Sequence, residues 1–122
     1  MKALIIDDSG AMRSILRQYM RELNYEVVEA RDGREALERC EQTPDLDVAL
    51  VDWNMPVMNG LEFVQALRAQ KKYSSVKLLM VTTENDATHV EAALGAGANE
   101  FLMKPFTYEV LEGKMALLND SF

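Results

Sequence analysis

Three acidic residues stand where carboxylates could work together. Asp7 and Asp8 directly follow the apolar run Ala3-Leu4-Ile5-Ile6, and Asp52 directly follows Val48 to Val51. Two more polar residues end similar runs: Thr82 after Leu78 to Val81, and Lys104 after Phe101 to Met103. A pocket of carboxylates without histidine or cysteine suits a hard cation, and magnesium, which keeps several waters and pairs with phosphate, fits it best. Something positive has to sit there, because two like charges about 4 Å apart repel by about 4 kcal/mol at an effective dielectric near 20. Lys104 supplies a further point charge. A metal ion, a lysine and a hydroxyl around one carboxylate are the parts that phosphoryl transfer needs, since catalysis there is mainly positioning and charge neutralisation. Carboxylates can act as nucleophiles and form aspartyl phosphates. Asp52 is then the expected nucleophile, the Thr82 hydroxyl hydrogen-bonds the attached group, and Asp7 and Asp8 hold the metal.

That chemistry requires the runs to be strands of one parallel sheet, whose carboxyl ends share an edge where ligands bind. With Glu26 to Glu29 there are five such runs, and continuous apolar stretches suit strands covered on both faces. Between the first two, Met12, Ile15, Leu16, Tyr19, Met20 and Leu23 step by three and four, an apolar stripe on a helix. Asp32, Asn59, Asp86 and Thr107 precede the other helical segments with a side-chain oxygen that can cap a first turn. Asp32 with Glu35 and Asn59 with Glu62 have the capping-box spacing. The last helix is expected from Thr107 to about Asn119. The predicted class is α/β, a doubly wound five-stranded parallel sheet with five helices.

At 122 residues the chain fits one domain, expected over 1–122 with no output domain. A hydrophobic share of 48% beside 27% charged residues is that of a globular protein. The formal charge of -7 argues against a nucleic-acid backbone as partner. The single cysteine, Cys40, cannot make an internal disulfide and reads as a buried small apolar residue. The apolar start is too short for a signal peptide or a membrane span, so a cytoplasmic protein without membrane contact is expected. The eight methionines read as core filler and Trp53 as packing beside the site.

Taken singly, Asp7-Asp8 before a helix reads as a cap, Thr82 as a strand-end hydroxyl, Lys104 as a solvated charge and Phe101 as a core aromatic. Their joint placement at successive strand ends changes that reading. Asp7-Asp8, Asp52-Trp53-Asn54-Met55-Pro56 with Asn59-Gly60, Val81-Thr82 and Lys104-Pro105-Phe106 resemble the bacterial response-regulator receiver family over essentially the whole chain. The Asp-Trp-Asn-Met-Pro stretch and Lys-Pro-Phe are most similar to its single-domain CheY type, which works in chemotaxis.

The resemblance implies a flavodoxin-like strand order 2-1-3-4-5. It implies that Asp8, Asp52 and the Asn54 main-chain carbonyl ligate magnesium, with Asp7 helping through water, and that the Lys104–Pro105 bond is cis, as X-Pro bonds tolerate. It implies a sensor histidine kinase as phosphodonor; the chain's own His89 is placed on the fourth helix, away from the crevice. Phosphorylation would draw Thr82 inward and let Phe101 move, altering a target-binding face built from the fourth helix, fifth strand and fifth helix. Phe101 stands where tyrosine is frequent and cannot donate a hydrogen bond. Asn54 and Glu84 flank the site and by resemblance tune the access of water to the phosphate.

Other functions compete less well. A haloacid-dehalogenase-like phosphatase has its nucleophile after the first strand and a second Asp two residues on, where this chain has Ser9. A phosphate-independent interaction module usually lacks one of the acidic or lysine positions, whereas a phosphorelay intermediate would have the same site. A flavin carrier wants a hydroxyl-rich phosphate loop that Asp8-Ser9-Gly10 does not supply.

Overall fold

In the computed structural model, residues 1–83 and 87–119 are described, and strands and helices alternate along them. The strands are β1 (Lys2–Ile6), β2 (Glu26–Ala30), β3 (Val48–Val51), β4 (Lys77–Thr82) and β5 (Glu100–Met103). The helices are α1 (Gly10–Glu22), α2 (Gly33–Gln42), α3 (Gly60–Arg68), α4 (Ala87–Ala96) and α5 (Tyr108–Asn119). All strands are parallel in the order β2-β1-β3-β4-β5, as expected. Among the described residues no helix is long and apolar enough to cross a membrane.

Alternation of side chains along each strand divides the core in two. Leu4 and Ile6 of β1, Ala49 and Val51 of β3, and Leu78 and Met80 of β4 meet α2, α3 and α4 through Ala36, Phe63, Leu67 and Ala93. Ala3, Ile5, Val48, Leu50, Leu79 and Val81 meet α1 and α5 through Leu16, Met20, Leu111 and Met115. The central strand β3 is buried along its whole length, whereas β2, at the sheet edge, runs from exposed Glu26 to buried Ala30. Right-handed crossovers account for this arrangement: the connection from β1 outward to β2 puts α1 on one face, and the return past β1 to β3 puts α2 on the other. The strand order therefore reverses between β1 and β3, leaving a crevice at their carboxyl ends.

Local signals fix the helix starts, with two differences from expectation. The Ser9 side chain, rather than Asp7 or Asp8, caps α1 by accepting from the Met12 N–H at 3.2 Å. Asp32 caps α2 through the Glu35 N–H at 2.8 Å, but the Glu35 carboxylate reaches back to the Arg31 N–H at 3.0 Å, so no reciprocal box closes. At α3 both arms form, Asn59 to the Glu62 N–H at 2.9 Å and Glu62 to the Asn59 N–H at 3.0 Å. Thr107 accepts from the Val110 N–H at 3.2 Å at the start of α5. Asp86, the expected cap of α4, lies outside the described residues, as does Glu84. Of the α1 stripe, Leu16 and Met20 are buried and Met12, Tyr19 and Leu23 pack against their cluster, but Ile15 is 43% exposed. Ile15 falls at the stripe's margin, and the helix meets the sheet along a narrower band than the spacing suggested.

Cys40 is fully buried and burial raises its thiol pKa to about 11, which makes it a packing residue, as expected. Met20, Met55, Met80 and Met115 lie in the core, whereas Met1 is exposed and is not core filler as expected, and Trp53 lies buried beside the crevice. Two glycines carry opposite predictions. An added Cβ at Gly113, inside α5, meets nothing within 4 Å, so Gly113→Ala raises stability by about 0.5–1 kcal/mol. Gly97 has φ +118° and its added Cβ would lie 2.6 Å from Arg68 Cγ, so Gly97→Ala lowers stability. Urea unfolding of the two variants should shift the midpoint in opposite directions.

Candidate phosphoacceptor and metal site

Main-chain pairing delivers the acidic residues to the crevice. The Asp52 N–H donates to the Ile6 carbonyl at 2.9 Å, which continues the β1–β3 pairing one step past the strands. On the other side the Asp7 N–H donates to the Ala30 carbonyl at 3.1 Å, and the Lys104 N–H donates to the Thr82 carbonyl at 2.9 Å. Ladder bonds thus extend beyond the strand ends and hold four side chains of distant sequence position on one edge.

Asp7 is 1% exposed and Asp52 is 7% exposed, whereas Asp8 faces solvent. Carboxylate oxygens of all three lie within 4.8 Å of one another. Lys104 Nζ donates to Asp7 Oδ2 at 2.9 Å and to Asp52 Oδ1 at 3.3 Å. Asp7 Oδ1 also accepts from the Ser9 N–H at 2.9 Å. Burial, with the Asp7 charge next, raises the Asp52 pKa above the ordinary carboxylate range, and the nearby ammonium only partly opposes this. Burial works against the Lys104 charge, but the Asp7 hydrogen bond and the Asp52 charge outweigh it and raise its pKa.

Charge counting shows what the site wants. Three carboxylates face one ammonium, which leaves two negative charges, the complement of a divalent cation. The donor set is all oxygen, partly buried and partly open through Asp8, which fits a hard ion that keeps several waters. Receiver domains generally bind magnesium at an acidic pocket of this kind.

The remaining candidate residues take different positions. Thr82 is fully buried at the end of β4. Asn54 is exposed in the loop two residues beyond Asp52. The Lys104–Pro105 bond is cis. Phe101 is half-buried and packs on the α2–α4 side of the sheet. His89 lies on α4. Its ring meets that of Trp53, the residue after Asp52, edge-on with centroids 4.8 Å apart.

Two features were missed in the sequence. Gly60 starts α3 directly against Asp52: its N–H donates to the Trp53 carbonyl at 2.9 Å, and a Cβ there would overlap the Asp52 carbonyl oxygen. Its place in the Asn59-Gly60 pair was the available signal. Arg13 donates to the Asp7 carbonyl at 2.7 Å, and nothing in the α1 pattern distinguished it from the other arginines of that helix.

A model of the response regulator receiver domain matches residues 3–116. A chemotaxis protein CheY homolog of Campylobacter jejuni is 45% identical over 116 residues, covering 94% of this chain and 89% of that protein. Chemotaxis protein CheY1 of Helicobacter pylori is 42% identical over 119 residues, covering 97% of this chain and 96% of that protein. The solved structure of chemotaxis protein CheY4 of Vibrio cholerae matches with a TM-score of 0.90 at 38% identity, covering 96% of this chain and 97% of that one. The crevice between β1 and β3, the acidic group in it and these full-length likenesses converge: the chain belongs to the response regulator receiver family and is CheY-like.

Proposed function

We propose that this protein is a stand-alone response regulator in which Asp52 accepts a phosphoryl group from the phosphohistidine of a sensor histidine kinase. The observation that carries the reading is the Lys104 ammonium shared between Asp7 and Asp52 beside a three-carboxylate group at the switch point of the sheet. Asp7, Asp8, Asp52 and the Asn54 main-chain carbonyl would hold a magnesium ion, which supplies charge neutralisation of the phosphoryl oxygens.

In the transfer, an Asp52 carboxylate oxygen forms the new bond to phosphorus as the phosphorus–nitrogen bond of the donor breaks, and the imidazole leaves with the electron pair. Lys104 pairs with a phosphoryl oxygen, exchanging part of its interaction with Asp52 for one of higher charge. The Thr82 hydroxyl donates to the same group, and its withdrawal from the sheet lets Phe101 repack. The readout is altered binding of a target protein at the face formed by α4, β5 and α5. Phe101 makes that contact by packing alone, since it has no hydroxyl. The likeness to chemotaxis proteins supports a cytoplasmic chemotaxis output.

Purified protein incubated with acetyl phosphate should gain one phosphoryl group by intact mass with magnesium present and none in EDTA. Absence of an adduct and of any beryllofluoride-induced spectral change would instead favour a phosphate-independent interaction module.

A further inference from the structure

Asp7 is held at every polar atom. Besides its N–H on Ala30, its Oδ1 under Ser9 and its Oδ2 under Lys104, its carbonyl accepts from Arg13 Nη1 at 2.7 Å. Asp8 differs: among the described residues no hydrogen bond or ion pair holds its exposed carboxylate. Its direction is set through the backbone, because the Asp7 carbonyl and the Asp8 nitrogen belong to one planar peptide unit. A guanidinium that fixes that carbonyl also fixes the plane from which the Asp8 side chain departs.

A cation at this position would ordinarily oppose a metal ion nearby. Here it is held and partly offset from behind. Arg13 Nε pairs with Glu29 Oε1 at 3.3 Å, and Arg17 Nη1 holds the other oxygen of Glu29 at 2.7 Å. Arg39 Nε donates to the Glu29 carbonyl at 3.1 Å, so the β2 residue is itself anchored from α2. The Arg13 side chain is only 19% exposed.

We infer that Arg13, backed by Glu29, is a positioning residue for the cation site: it aims Asp8 by clamping the Asp7 carbonyl, and Glu29 holds the guanidinium in place and offsets part of its charge. The inference rests on the proposed magnesium-dependent phosphoacceptor role. Arg17 shares Glu29 but does not touch Asp7, which makes it the natural control.

Magnesium affinity can be measured without phosphorylation, by calorimetry and by the fluorescence of Trp53 next to Asp52. Arg13→Ala should weaken it about ten-fold, the size expected for loss of a group that orients a ligand. Arg13→Lys should recover part of the loss, and Glu29→Gln should also weaken binding, with the Arg13→Ala/Glu29→Gln pair no worse than the weaker-binding single variant. Arg17→Ala should bind as wild type, and all variants are compared for their unfolding midpoints in EDTA. Unchanged or tighter binding by Arg13→Ala overturns the inference, and so does an equal loss in Arg17→Ala, which would mean general charge or stability. A wild-type protein that neither binds magnesium nor takes up phosphate would instead overturn the functional proposal itself.

Discussion

With Asp52 replaced by asparagine, the protein should take up no phosphoryl group from acetyl phosphate at any magnesium concentration, yet its magnesium-free form should unfold later than wild type at neutral pH. The loss of the adduct follows because the amide has no carboxylate oxygen to offer phosphorus, while its shape and its bond from Lys104 can persist. The gain in stability follows from the cost of the native charge. Burial and the Asp7 carboxylate raise the Asp52 pKa, so the ionised form is less favourable in the fold than in the unfolded chain. A raised carboxylate pKa destabilises the fold fully above the folded-state value. The penalty fades as pH falls through that value towards about 3.9, the unfolded one. The advantage of the Asp52→Asn variant over wild type should therefore be present at neutral pH and shrink in acid. Magnesium should narrow it too, because it binds the protein that keeps all three carboxylates more tightly and so stabilises it more. Thermal unfolding of both proteins across pH, with and without magnesium, checks each part. A variant that is less stable than wild type at neutral pH would mean that the Lys104–Asp52 attraction exceeds the burial cost.

Gly60→Ala should cost about 3 kcal/mol, the upper part of the range for forcing atoms into a packed site. The neighbours of the added methyl group are main-chain atoms: besides the Asp52 carbonyl oxygen, the Asp52 carbonyl carbon and Trp53 Cα would each lie 3.0 Å away. Rigid backbone cannot yield as a flexible side chain does, so α3 has to move away from β3. That shift loosens the loop carrying Trp53 and Asn54, and phosphoryl uptake should fall together with stability. Urea unfolding and the acetyl phosphate assay report the two effects. A variant of wild-type stability and normal uptake would show that the close approach of α3 to Asp52 is not required. Gly113→Ala, which introduces the same methyl group into open space, is the matched comparison.

The strands, the order in which helices alternate with them, and the strand ends at which Asp7, Asp8, Asp52, Thr82 and Lys104 stand are all legible in the chain alone. They depend on periodicity and on residues within a turn or two: apolar runs for buried strands, and Asn59 with Glu62 for a capped helix. The cis bond at Lys104–Pro105 and the strand order came with the family motifs. How the two adjacent aspartates divide is settled by packing instead. The fold buries Asp7 against Lys104, 97 positions away in sequence, and leaves Asp8 to solvent. It also puts Ile15 outside the core, His89 against Trp53, and Arg13 between Asp7 and Glu29. Each of these depends on how far a helix leans over the sheet and which neighbour it meets there. Such contacts join segments that share no local pattern, and their energies exist only once the crossovers have set the layers in place.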